Sequence, residues 1–406
     1  MDEQFIMPLR QDLLYREIEE NGEKYFTLID PKGYVSQQVI MPLPALPLLL
    51  LAKKKLTKDE LYSAIVKETT DAIDIEPIYQ LFEYLDFAGY LDSPRFQFIK
   101  EDVDSYINSP IRPPVCAGSS YSDDIEILTG ELTDIINSYT GDGIAPDSKG
   151  IIVPHIDFRI GEGAYKTYSA GYQSIKNSEA DLIVIFGTAH YGFTDLFMFT
   201  EKDFQTPLGI AETDKELLHE LKIRLPFDMT FDDMTHRHEH SIELQTVLLQ
   251  HVFKGRNFKI LPVLCGSFQK FINEKQSPSE AQKYKLVLEK LEEAINHLGR
   301  KPLFIASADM AHIGRKFGDD FDAETELTSL AEEDKILLSS LEKCEPEEFY
   351  TTISNVEDKR RICGLSPIYS LLQILKPQTG KFLNYHQWNE AETKSAVSFA
   401  SVAYYK

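Results

Sequence analysis

A chain of 406 residues, 43% of them hydrophobic, is long enough to bury a full core and to divide into two domains. With 42 basic against 65 acidic residues, the net charge of −23 repels phosphate backbones, which argues against nucleic acid as a bulk partner and favours a cationic or small-molecule one. The four cysteines, Cys116, Cys265, Cys344 and Cys363, lie far apart with no CxxC, so neither a disulfide framework nor a zinc knuckle is expected, and a reducing, cytoplasmic setting is.

The opening stretch MDEQFIMPLRQDLLYREIEE is acidic from its second residue and lacks the basic-then-apolar order of a secretory signal. A strand over Tyr25–Ile29 is predicted to end at the Asp30-Pro-Lys-Gly33 turn. The apolar run from Met41 to Ala52 carries three prolines and falls short of the about 20 residues that cross a bilayer, so no membrane span is read. The Lys53-Lys-Lys55 run, in acidic surroundings, reads as a solvated face. Thr57-Lys-Asp-Glu60 has capping-box spacing and opens a helix. Ile78, Leu81, Phe82 and Leu85 repeat at i, i+3, i+4 and i+7 in another helix, which stops at Gly89. Strand, helix, helix and then Phe87-Ala-Gly-Tyr-Leu91 resembles a winged-helix or PqqD-like peptide-binding module. Residues 1–108 are therefore expected to form a small α+β interaction domain.

Three prolines in Asn108-Ser-Pro-Ile-Arg-Pro-Pro114 disfavour regular structure and place a linker at 109–114. Beyond it, short apolar runs at Gly150–Val153, Leu182–Phe186, Phe258–Leu264 and Leu303–Ala306 alternate with helix-like segments, the pattern of an α/β sandwich over residues 115–406. Three polar clusters with histidine follow such runs: Val153-Pro-His155, Phe186-Gly-Thr-Ala-His190 and Ser307-Ala-Asp-Met-Ala-His312. Central strands of α/β sheets deliver ligands at their carboxyl ends, so these histidines would meet at one edge. Neutral imidazoles gathered there suit zinc, copper, iron or nickel.

The cluster Thr235-His-Arg-His-Glu-His-Ser-Ile-Glu-Leu-Gln245 invites a hydrolase reading, but HExxH fails because Ile242 stands four residues after His238. His236 and His238 are read as solvated. His240 sits at a helix entry, with Ser241 a possible cap, and is placed to look into the site. His219, His251 and His297 fall in helix-like segments and read as surface or packing residues.

The segments Ala117-Gly-Ser-Ser-Tyr121, Pro154-His-Ile-Asp-Phe158, Gly187-Thr-Ala-His190, Glu239-His-Ser-Ile-Glu243, Leu261-Pro-Val-Leu264, Ser307-Ala-Asp309 with His312, Ile362-Cys-Gly364 and Ser395-Ala-Val-Ser-Phe399 together resemble the Memo-like family, which includes the B component of AmmeMemoRadiSam systems. The resemblance implies a fold similar to class III extradiol dioxygenases, with a central mixed sheet. It implies a metal held by His155, His190 and Cys363, with His312 as a further site histidine. An isolated cysteine otherwise reads as a small buried hydrophobe. A thiolate beside two imidazoles favours iron or copper, with zinc a further candidate. Asp157 departs from the family pattern, standing where the family has a small residue, as a partner to His155 or a charge at the pocket rim.

Two functions follow as expectations. In the first, the site is a dioxygenase-like, metal-dependent oxidoreductase in which His312 and His240 move protons and Asp309 orients a histidine, a helix N-cap before His312 being the alternative for Asp309. In the second, the cleft is vestigial and holds a peptide or partner protein, and the resemblance implies radical SAM and AMMECR-like partners. A Cys-His hydrolase with Cys363 as nucleophile is a third class, which requires Cys363 free of metal.

Overall fold

A computed structural model describes residues 5–20, 22–35, 39–52, 54–68, 74–141 and 144–406. Residues 1–4, the start of the opening stretch, and Lys53 of the lysine run lie outside them. The chain forms two compact units, Met1–Ser109 and Pro110–Lys406. No helix among the described residues is long and apolar enough to cross a membrane.

In the first unit, an antiparallel sheet orders Leu14–Glu20, Glu23–Ile29 and Val39–Pro42. The turn after the middle strand is closed by the Gly33 N–H donating to the Asp30 carbonyl, with Gly33 at φ 68°. The capping box forms reciprocally: the Thr57 N–H donates to Glu60 Oε2 at 2.8 Å and the Glu60 N–H to Thr57 Oγ1 at 3.1 Å, starting helix Lys58–Glu68. Helix Glu76–Phe87 buries Ile78, Phe82 and Leu85, which join Phe26, Leu49 and Ile65 in one core.

The second unit is α/β and is built on an eight-stranded mixed sheet. Its strands are β1 (Gly150–Val153), β2 (Leu182–Thr188), β3 (Phe197–Phe199), β4 (Lys259–Cys265), β5 (Pro302–Ser307), β6 (His312–Gly314), β7 (Thr379–Glu390) and β8 (Ser395–Tyr405). They lie in the order β6-β8-β1-β5-β2-β4-β3, with β7 pairing β8. The central four, β1, β5, β2 and β4, are mutually parallel. Antiparallel β8 and β3 flank them.

Continuous apolar runs in the central strands reflect burial of both faces, because side chains alternate along a strand. Leu182, Val184 and Phe186 belong to one hydrophobic cluster, with Leu288, Leu291 and Leu371. Ile183 and Ile185 belong to the other, with Tyr168, Tyr172 and Leu248. Helices α1 (Glu162–Gln173), α2 (Glu243–Val252) and α3 (Leu365–Leu375) supply much of this cover.

The proline-rich segment 109–114 carries a short strand, Ile111–Arg112, which pairs in parallel with Asp203–Thr206. Arg112 is fully buried and its guanidinium is ion-paired with the equally buried Glu243. Glu243 also accepts from the Val115 and Cys116 N–H groups and from the Tyr121 hydroxyl.

Candidate metal centre

Register decides where the polar clusters go. Ser307 lies opposite both Val153 and Gly187, so β1, β2 and β5 end at one edge of the sheet. Each chain then delivers a polar group two residues past its strand: His155, His190 and Asp309. The His155 ring is oriented by main chain. Its Nδ1 sits 2.9 Å from the Ser307 carbonyl, which can only accept, so Nδ1 carries the proton and Nε2 keeps its lone pair for a ligand. Burial, then the nearby His190 and His240 rings, hold His155 well below the ordinary histidine range, in its neutral form.

His190 is oriented by a side chain. Its Nδ1–H donates to Glu239 Oε1 at 2.9 Å and its main-chain N–H to Oε2 at 2.7 Å. Glu239 Oε1 accepts also from the His240 and Ser241 N–H groups. Burial works to raise the Glu239 carboxyl, but the donors from His190 outweigh it and bring it down to about 2. A buried carboxylate fixing a histidine tautomer is a common support for a metal ligand.

Cys363 comes from a different direction, just ahead of α3. The next residue must be small: a Cβ on Gly364 would lie 2.5 Å from the Asp309 carbonyl oxygen. The Gly364 N–H donates to that same oxygen at 3.0 Å. This close approach sets Cys363 Sγ at 3.4 Å from His155 Nε2. The donor atoms of His155, His190 and Cys363 all lie within 4.8 Å of one another. A four-coordinate centre with bonds of about 2.0–2.3 Å spaces its donors about 3.5 Å apart, so the set fits a transition ion with little movement. Desolvation raises the Cys363 thiol well above its ordinary range, which disfavours a free thiolate nucleophile.

His240 stacks on His190 with ring centroids 4.7 Å apart and meets His155 edge-on at 5.3 Å. Burial holds His240 below the ordinary range, and takes His312 down to about 4. Both are neutral proton acceptors at pH 7. Asp309 Oδ1 accepts from the His155 N–H at 3.0 Å, and burial raises its carboxyl to about 7. Beside the rings opens a cleft of about 420 Å³ whose lining includes Cys116, Ser120, Asp157, Tyr191, His238 and His240. Asp157 lies in that lining, hydrogen-bonded by Ser120 Oγ at 2.9 Å and paired with Arg159.

Some readings of single residues change. His236 is not solvated but 1% exposed, its Nε2–H donating to the Met198 carbonyl at 3.1 Å. Ser241 does not cap α2; its hydroxyl donates to the Thr188 carbonyl, and Ile242 occupies the cap position. No helix follows Asp309, because His312 opens strand β6. Glu239, Glu243 and Arg112 carry no assigned role in the residue pattern, yet Glu239 holds His190 and the other two brace the turn before α2. The acid directly ahead of His240 was the available signal. His219 and His297 are exposed on helices. His251 is half-buried near the end of α2.

Comparison with known proteins converges on one family. The family described as Memo-like protein matches residues 112–403. A MEMO1 family protein of Aquifex aeolicus is 29% identical over 401 residues, covering 98% of this chain and 100% of that protein. One of Thermus thermophilus is 28% identical over 351 residues, 84% of this chain and 97% of its own length. One of Methanococcoides burtonii is 31% identical over 202 residues, 50% and 68% respectively.

Proposed function

Because the chain belongs to the Memo-like protein family, we propose that it is a metalloprotein in which His155, His190 and Cys363 hold iron or copper, with zinc a further candidate, and that it performs dioxygenase-like oxidation of a small organic substrate. The observation that carries this reading is the meeting of two tautomer-fixed imidazoles and a thiol, from three separate elements, beside an open cleft. A bound redox metal would supply electron transfer and Lewis acidity there.

The chain's own residues supply the rest. Neutral His240, stacked on His190 and facing the cleft, accepts a proton from a substrate hydroxyl or thiol. His312 is the second acceptor, its ring fixed by Nδ1–H donating to the Arg361 carbonyl at 3.0 Å. Asp309 holds the His155 main chain in place.

The test is elemental analysis of anaerobically purified protein, followed by oxygen consumption with and without added metal and reductant. Bound transition metal and metal-dependent uptake support the reading; folded protein that binds no transition metal after reconstitution overturns it. A second reading, a binding or accessory role toward a peptide or a partner such as a radical SAM enzyme, draws on the first unit. That unit has a core of its own and, among the described residues, contributes none of the three residues proposed to hold the metal.

A further inference from the structure

Cys363 reaches the centre on a strained loop. Glu357, Asp358 and Arg361 have φ of 54°, 49° and 52°, a left-handed backbone that residues other than glycine disfavour. The last of them stands two residues before the thiol. A loop of this kind persists only where its surroundings over-determine it.

The contacts identify what holds it. The Arg361 guanidinium forks onto Asp319, with Nη2 to Oδ1 at 2.7 Å and Nη1 to Oδ2 at 3.1 Å. Asp319 is itself fixed by the Gly314 N–H at 2.8 Å, in strand β6. Arg361 Nη1 also donates to the His312 carbonyl at 3.2 Å, while the Arg361 carbonyl accepts from His312 Nδ1 at 3.0 Å. The His312 N–H donates to the Arg360 carbonyl at 2.7 Å. The Arg361 side chain, together with two hydrogen bonds from His312 to the loop's carbonyls, therefore ties the N-terminal side of the loop bearing Cys363 to the strand bearing His312, while Gly364 and the Thr188 hydroxyl hold its other side. The planar fork of arginine matches a carboxylate in a way that lysine does not.

Resting on the reading of Cys363 as a metal ligand, we propose that Arg361, gripped by Asp319, is a positioning residue that holds the strained loop so the Cys363 thiolate and the two imidazoles share one ion. The Arg361 side chain is 40% exposed, so the pair acts as a latch at the surface and not as part of the core. Its release lets the loop relax toward right-handed backbone and carries the sulfur off the ion, while His155 and His190, fixed from the sheet edge, stay in place.

The experiment titrates metal-free full-length protein with Co(II) and reads two quantities: affinity, and thiolate-to-cobalt charge-transfer absorbance per bound ion. Cys363→Ala supplies the zero of absorbance. Arg361→Ala and Asp319→Asn should each lose most of that absorbance per ion and bind about 10- to 100-fold more weakly, with the metal-free unfolding temperature unchanged. Arg361→Lys, which keeps the charge without the fork, should recover only part of the band. If Arg361→Ala does not fold, Asp319→Asn, which preserves size, decides the question. A wild-type band that Asp319→Asn keeps in full, at wild-type affinity, overturns the positioning role alone. A wild-type protein with no thiolate band overturns the metal reading and this role with it.

Discussion

Glu239 and His190 form a closed pair in which one buried carboxylate takes both the ring Nδ1–H and the main-chain N–H of the same histidine, at 2.9 and 2.7 Å. The ring can then offer only Nε2 to the centre. Glu239→Gln removes the charge and, with its oxygen left to the His190 ring, puts an amide NH2 against the His190 main-chain N–H. Zinc affinity by calorimetry should fall about 10- to 100-fold. Unchanged affinity in folded protein would remove Glu239 from the site.

Cys363→Ala separates ligation from packing. As a ligand, its loss leaves two imidazoles and solvent around the ion, so metal content falls sharply while the fold loses about 1 kcal/mol. Added Fe(II), Cu or Zn should slow iodoacetamide labelling of Cys363, and His155→Ala with His190→Ala should abolish that protection. Equal labelling rates with and without metal would contradict the assignment.

Truncation has to spare Arg112. Protein starting at Pro110 keeps the strand Ile111–Arg112 and the buried pair with Glu243, and should bind metal as the full chain does. Arg112→Met in that fragment leaves Glu243 buried without its cation, a loss of about 3–5 kcal/mol that should appear as low solubility or an early thermal transition. Equal melting temperatures for the fragment and its variant would show that the pair is dispensable.

Stability against pH should carry the mark of His236. Burial lowers this ring to about 4, against the 6.5 of an ordinary histidine. Between these values the unfolded chain binds a proton that the folded chain refuses, so this contribution is complete above pH 6.5 and is lost as pH falls toward 4. The full span amounts to about 3 kcal/mol. Urea unfolding from pH 7 to 4.5 should show a shallower fall for His236→Gln, whose amide still reaches the Met198 carbonyl. Parallel curves for wild type and variant would refute it.

The sheet and its edge were readable because both obey local rules. Apolar runs ending in Pro-His or Thr-Ala-His announce a strand that carries a histidine to the sheet edge, and Thr57 with Glu60 announces a helix start that forms as written. What surrounds those histidines was not readable. His236 reads as solvated and no pattern marks Glu239 or Glu243 individually, yet all three are almost wholly buried. Their partners, Met198, His190 and Arg112, lie 38, 49 and 131 residues away in the chain. No periodicity signals such pairs. Cys363 is a similar case: its place depends on Gly364 fitting against Asp309, a contact between segments with no shared pattern.

The two histidine arms differ in how they can change over evolutionary time. His155 takes its orientation from the Ser307 carbonyl, an atom that every amino acid would provide at that position, so a point mutation there leaves the hydrogen-bond acceptor in place. His190 depends on the carboxylate of Glu239, which a single codon change can delete. Lineages in which metal chemistry is no longer selected should therefore lose the His190 arm first, leaving His155 correctly posed on an otherwise silent cleft.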